Sequence, residues 1–261
     1  MLKRFFAALL EFFGYAPSRV KRPQSADRLQ FMYYGSLPGQ LEATRDHVTH
    51  HWIAPWSGSQ LDLVQATELP VVLEPASLEP SALSAEFLAL RERGVLERVK
   101  IIYVQDEPNR AAMCVDPLRV RLVMSTFVEL ANTKLGVIYS GGNEERPGIE
   151  HFDLVGVDNY EIGTRALEDV DKLVALLAPD QRVWLVAGGA DPWRQDPRPF
   201  LEAALADDRI AGLVCFAWFD GRPGGDFGTG IGRNGLGESY RAAGLQVKSP
   251  KPQPTPSGVV N

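Results

Sequence analysis

Eight short apolar runs, separated by charged and amphipathic stretches, constrain this chain more than any other feature. They are LQFMYYG (29–35), HHWIAPW (50–56), LPVVLEP (69–75), VKIIYVQ (99–105), LGVIYS (135–140), FDLVGVDNY (152–160), RVWLVAGG (182–189) and IAGLVCFAWFD (210–220). Most are apolar almost throughout rather than alternating. Strands of that kind are buried on both faces, as in a parallel sheet covered by helices. Segments 81–98, 116–132, 164–178 and 196–207 have helical spacing, and the second opens with Asp116-Pro117, a cap and first-turn pair. Eight such units over roughly 190 residues predict an α/β protein of the (β/α)8 barrel class, at the small end of its range. An open doubly wound sheet is the alternative, but YYGSLPGQLE after the first run lacks its phosphate-turn spacing. The glycine-rich GRPGGDFGTGIGRNGLG (221–237) follows the last run and reads as a long final loop with no strong helix opening from it.

The barrel is expected over residues 28–243, in a 261-residue chain. Residues 1–27 form a separate lead, in which Leu2, Phe5, Phe6, Leu9, Phe12 and Phe13 share one helical face. Such a helix closes an end of the core, or docks residues 1–16 on a membrane surface or a protein partner. Glu11 interrupts its apolar run and no cleavage-site pattern follows, so a signal peptide is disfavoured. Residues 244–261, polar and rich in proline, read as a disordered tail. The net charge of −6 and the absence of a basic stripe exclude a nucleic-acid footprint. The expectation is a soluble chain, cytoplasmic rather than exported. Cys114 and Cys215 match no metal or redox spacing, and Cys215 reads as a buried thiol. His47, His50 and His51 lack the spacing of a metal site, so no metal or cofactor is expected.

In a barrel of this class the C-terminal strand ends build the active site. Tyr33 and Tyr34, His51 and Trp52 with Trp56 beyond, Glu74, Asp106 and Glu107, Tyr139 and Ser140, Asp158, Asn159, Tyr160 and Glu161, Asp191 and Trp193, and Trp218 and Asp220 stand there in turn. Carboxylates and aromatics thus gather on one rim with few cations. Cleaving a glycosidic bond needs one carboxylic acid to protonate the leaving oxygen and a second carboxylate as nucleophile or base. Aromatic faces suit sugar C–H surfaces, and polar groups meet the hydroxyls. The candidate catalytic residues are Glu107, Asp106 and Asp158. The candidate carbohydrate-binding residues are Tyr34, His51, Trp56, Tyr139, Tyr160, Trp193, Trp218 and Asp220. Each also has a structural reading: Glu107 and Asp158-Asn159 as caps or turns, Glu74 before Pro75 as a structural acid, the tryptophans as core.

IIYVQDEPN (101–109) resembles the fourth-strand segment of the (β/α)8 glycoside hydrolases, in which an Asn-Glu-Pro motif carries the acid/base glutamate. The resemblance implies Glu107 as the acid/base, and FAWFDG implies Trp218 as a sugar-site tryptophan. The chain departs from the pattern twice. Asp106 stands where asparagine is usual, and VAGGADPW offers no glutamate at the end of the seventh run, where that superfamily keeps its nucleophile. The adjacent Asp106-Glu107 pair is similar to the β-hexosaminidase arrangement, in which the aspartate orients a substrate acetamide, and Tyr160 suits such a site. Glu107 with Asp158 across a water is a third possibility. The expected function is a glycoside hydrolase acting on a carbohydrate. The alternative is a barrel without catalysis that binds carbohydrate or serves as an assembly module.

Overall fold

Strands with both faces apolar need cover on both sides, and the chain supplies it by closing the sheet on itself and laying helices outside. In the computed structural model, residues 29–35, 38–55, 58–108, 116–141, 146–160, 165–220 and 228–249 are described. The predicted N-terminal helix, the tail beyond Ser249, Trp56, Cys114 and Glu161 lie outside them. Eight strands follow in order: β1 (Gln30–Tyr33), β2 (His51–Ile53), β3 (Val71–Leu73), β4 (Val99–Asp106), β5 (Lys134–Ser140), β6 (Leu154–Asp158), β7 (Arg182–Gly188) and β8 (Ile210–Phe216). All neighbouring pairs are parallel, in the spatial order β1-β8-β7-β6-β5-β4-β3-β2. Among the described residues seven α-helices accompany them: α1 (Pro38–Thr44), α2 (Gln60–Ala66), α3 (Pro80–Glu92), α4 (Pro117–Met124), α5 (Arg165–Leu176), α6 (Pro197–Ala206) and α7 (Gly237–Lys248). The architecture is the (β/α)8 barrel that the eight apolar runs predict.

Alternation along the strands sorts the core into two layers. Met32, Tyr34, Trp52, Val72, Ile101, Tyr103, Ile138, Leu154, Trp184, Val186 and Val214 fill the barrel interior. The residues between them, such as Phe31, Ile53, Leu73, Val137, Leu185 and Leu213, pack outward under the helices. Asp116 and Asp196 cap α4 and α6, their side chains accepting from the backbone N–H of Leu118 and Arg198, with proline in the first turn of each.

Barrel closure lies between β1 and the residues leading into β2. The Thr49 N–H donates to the Phe31 carbonyl at 2.8 Å, and the Phe31 N–H donates to the Thr49 hydroxyl at 2.7 Å. Helix α7 straps this seam from outside. The Tyr240 hydroxyl donates to the Gln195 carbonyl at 2.8 Å, and Arg241 pairs with Asp46. A Cβ at Gly244 would lie 2.2 Å from the His47 carbonyl oxygen, so only glycine lets the helix come this close. The sequence reading therefore errs at this end. A helix does open from the glycine-rich segment, at Gly237, and it carries the ordered chain through Lys248 rather than ending at residue 243. Among the described residues no helix is long and apolar enough to cross a membrane.

Candidate active site

The parity of each strand decides which residue at its C-terminal end faces the cleft. From the interior residues two positions back, the inward set is Tyr34, Ala54, Glu74, Ser140, Asp158, Gly188 and Phe216. β4 needs separate treatment. Simple alternation from Tyr103 would turn Gln105 inward and Asp106 out. A register shift between Tyr103 and Gln105 instead pairs Gln105 with outward Val137 and Asp106 with inward Ile138. Asp106 thereby enters the cleft, where the Tyr103 hydroxyl donates to its Oδ1 at 2.6 Å. Glu107 follows with φ 42°, a left-handed conformation uncommon outside glycine, held by its N–H donating to the Ile138 carbonyl at 2.8 Å.

Four carboxyl groups converge. Asp158 is only 8% exposed and shares a side-chain hydrogen bond with Glu107 and another with Tyr160. Its Oδ1 is buried without a hydrogen-bond partner. Burial, then the charges of Glu107 and Asp106, push the Asp158 carboxyl up to about 8, so Asp158 holds its proton at neutral pH. Asp106 is also raised, first by desolvation. Its Tyr103 hydrogen bond opposes the shift and Glu107 adds to it. Asp106 nevertheless remains exposed to solvent. Glu74 accepts from the Trp52 indole N–H at 3.4 Å and is pushed up to about 7, mainly by burial. The sequence reading gives Glu74 a structural role. The signal it missed is parity, since Glu74 lies two residues beyond inward Val72.

Aromatic rings wall the acids. Tyr160 stacks between Trp193, with ring centroids 4.5 Å apart, and Phe216, at 5.8 Å. Tyr34 meets Phe216 at 5.6 Å and Trp52 at 4.8 Å. At the end of β7, a Cβ on Gly188 would lie 2.5 Å from the Tyr160 ring. The Tyr160 ring thus fills the space a β7 side chain would need.

Of the predicted site residues, Asp106, Glu107, Asp158, Tyr34, Tyr160 and Trp193 come together here. Four others do not. His51 has outward parity and is buried beneath the helices, its imidazole driven down to about 4 by desolvation. Tyr139 also turns outward, and its hydroxyl donates to the Pro147 carbonyl at 2.7 Å. Trp218 packs outside the sheet on Tyr33 and His47, at 5.0 and 5.6 Å. Phe216 is the β8 ring that faces the acids. Asp220 holds the final loop, accepting from the Gly230 N–H at 2.9 Å and pairing with Arg233. The histidines stay apart from the acids: His47 bridges Asp46 and Tyr33 at 2.6 and 3.1 Å. Among the described residues no His, Cys, Asp and Glu group could hold a metal ion. Cys215 is a buried free thiol.

No protein-family model matches this sequence, and no curated protein does. Solved structures do match the fold. A GH113 β-1,4-mannanase aligns over 84% of this chain and 98% of its own, at TM-score 0.53 and 10% identity. A glycoside hydrolase family 17 β-1,3-glucanosyltransferase from Rhizomucor miehei aligns over 79% and 93%, at 0.52 and 15%. A β-glucuronidase from an uncultured Clostridium sp. aligns over 84% of this chain, which spans 50% of that enzyme, at 0.55 and 12%. The fold shared with these enzymes is the (β/α)8 barrel. At these identities the likeness is one of fold, and the chemistry rests on the cleft itself.

Proposed function

We propose that this barrel is a glycoside hydrolase in which Glu107 acts as the general acid and base. The observation that carries the reading is Glu107 hydrogen-bonded to Asp158, whose carboxyl keeps its proton at the floor of an aromatic-walled cleft. In the proposed reaction Glu107 passes the pair's proton to the glycosidic oxygen as the bond to the anomeric carbon breaks. Asp106 and Glu74 face the positive charge that develops on the sugar. Water then adds to the anomeric carbon and returns its proton to the pair, which restores the starting state. The stacked rings of Tyr160, Trp193 and Phe216 offer the flat apolar surface that a pyranose needs.

One observation favours the non-catalytic alternative. The inward position at the end of β7 is Gly188, filled by the Tyr160 ring. Glu107 and Asp158 are in direct contact, whereas glycosidase pairs stand about 5 Å apart for retention and roughly 6.5–9.5 Å for inversion. The second carboxylate must therefore be Asp106 or Glu74, or the substrate must supply its own nucleophile.

The test is release of reducing ends from a broad set of polysaccharides and aryl glycosides, with wild type and Glu107→Gln side by side. Release by wild type, reduced about 100-fold or more in the variant, is the expected result. Equal release by both removes Glu107 from the chemistry. Glycan binding without release by either protein establishes the binding module instead.

A further inference from the structure

Three of the chain's four histidines, His47, His50 and His51, crowd into the segment that closes the barrel. β1 and β2 stand at the two ends of the strand order, and Thr49 joins them through Phe31. Imidazole is the side chain that ordinarily titrates between about pH 5 and 8. Its protonation state at such a seam decides which hydrogen bonds the seam can make.

His47 is fully buried, with Nδ1 2.6 Å from Asp46 Oδ1 and Nε2 3.1 Å from the Tyr33 hydroxyl. Against desolvation, hydrogen bonds from His47 and from Arg241 of α7 hold the Asp46 carboxyl below its ordinary range. A carboxylate can only accept, so Nδ1 carries the ring hydrogen and Nε2 accepts from the Tyr33 O–H. A proton added at Nε2 displaces that donation, and among the described residues the buried Tyr33 hydroxyl has no other acceptor. Desolvation pushes the His47 imidazole down. Asp46 opposes the shift, and the like charges of Arg241 and Lys248, both on α7, add to it.

His50 follows Thr49, and its Nδ1 lies 3.0 Å from the hydroxyl that accepts the Phe31 N–H. While the ring is neutral, that hydroxyl donates to Nδ1 as it accepts from Phe31. Once protonated, Nδ1 donates instead. The hydroxyl hydrogen is then left with the Phe31 carbonyl, at 3.2 Å and already taken by the Thr49 N–H. Desolvation drives His50 down to about 4, and the charge of Lys134 on β5 adds to it. His51, under the helices, is driven down to about 4 by burial alone.

We infer that the β1–β2 seam is an acid-opened joint, held shut by His47 and His50 as neutral rings and released when they take up protons. Tyr34 and Trp52, one from each side of the seam, meet at 4.8 Å in the cleft wall, so the opening reaches the cleft. A base whose pKa is depressed by folding contributes stability above its ordinary 6.5 and loses it as pH falls, here toward about 4. The raised acids of the cleft, Asp158 and Glu74, act in the opposite sense and tighten the fold as pH falls. Acid therefore loosens the seam against the trend of the barrel around it.

The test is amide hydrogen exchange on the full chain at about pH 7 and about pH 5, read as protection factors so that intrinsic rates cancel. Protection of the Phe31 and Thr49 amides should fall by about tenfold or more at the lower pH, while amides of β6 and β7 hold or gain. In the His47→Gln/His50→Gln double variant, the seam amides should lose no more than about a few-fold. No loss at the seam in wild type overturns the inference. So does an equal loss in every strand, which is global unfolding, and so does a loss in the double variant as large as in wild type. Should the double variant not fold, NMR titration of the His47 and His50 rings in wild type decides. Midpoints that coincide with the loss of seam protection support the joint, and rings that protonate while Phe31 and Thr49 stay protected overturn it.

Discussion

A carboxyl buried among other acids keeps its proton, and Asp158 in that position sets how this cleft responds to pH. Asp158 is raised from 3.8 to about 8, first by burial and then by its acidic neighbours. A raised acid holds its proton more tightly in the folded state, so Asp158 stays protonated through neutral pH and loses its proton as pH rises through about 8. In Asp158→Asn that titrating group is gone. The alkaline limb of kcat/KM near pH 8 should therefore move away from that pH, read from a pH–rate profile on whichever glycoside the enzyme cleaves. An unmoved limb would assign it to another group. Linkage gives the same residue a second readout. Protons bound more tightly in the native state make stability fall as pH rises, here between about 4 and 8. Asp158→Asn should thus be more stable than wild type at pH 9, by on the order of 1 kcal/mol or more, with the gap closing toward pH 5. Thermal melts at the two pH values separate this from a general packing effect, which would not depend on pH.

At the scale of the element, strand parity decides which residues can act. All eight strands are legible in the sequence because each is a run of apolar residues. The same property hides which side chains face in. In VGVDNY or LGVIYS both faces are buried, so no polar alternation marks the inner one, and Tyr139 and His51 read as rim residues although they lie under the helices. Trp218 is misread for a related reason. The inward series ends at Phe216, and the chain then turns the tryptophan out onto Tyr33 and His47. β4 is harder still, because the register shift that brings Asp106 inward leaves no mark in the sequence. Asp106 and Glu107 remain legible only because adjacent acids at an apolar strand end need a reason to be there. The missing β7 glutamate gains a physical account from the structure. Gly188→Ala would place a methyl 2.5 Å from the Tyr160 ring, and a glutamate would need that same space. Gly188→Ala should cost about 1–3 kcal/mol of stability through overpacking and push Tyr160 off Phe216. Glycan affinity should fall with it. Gly188→Ala in a Tyr160→Ala background should recover most of the stability loss attributable to the clash, which a double-mutant cycle in urea measures.

For the whole molecule the question is how eight strands close when β1 and β2 share no continuous ladder. Helices α1 and α2, which flank this region, have seven residues each, and the sequence reading passes over both because two turns carry too little periodicity to stand out. What joins the edges is Thr49. Its N–H serves the Phe31 carbonyl, and its hydroxyl stands in for the missing strand carbonyl by accepting the Phe31 N–H at 2.7 Å. Just inside this seam Tyr34 and Trp52 meet at 4.8 Å, so closure also fixes one wall of the cleft. Thr49→Val keeps the branched shape and the backbone bond but leaves the Phe31 N–H without its acceptor. An unmade buried bond of this kind costs about 1–3 kcal/mol, and Thr49→Ser, which keeps the hydroxyl, should cost less. Urea unfolding with an unchanged m-value reads the loss as one of stability, and ligand affinity should weaken in the same order as the Tyr34–Trp52 wall loosens. If Thr49→Val matches wild type, the hydrogen bond is not what closes the barrel. The α7 strap, with Gly244 seated on the His47 carbonyl, would then carry the closure, and Gly244→Ala should be the variant that opens it.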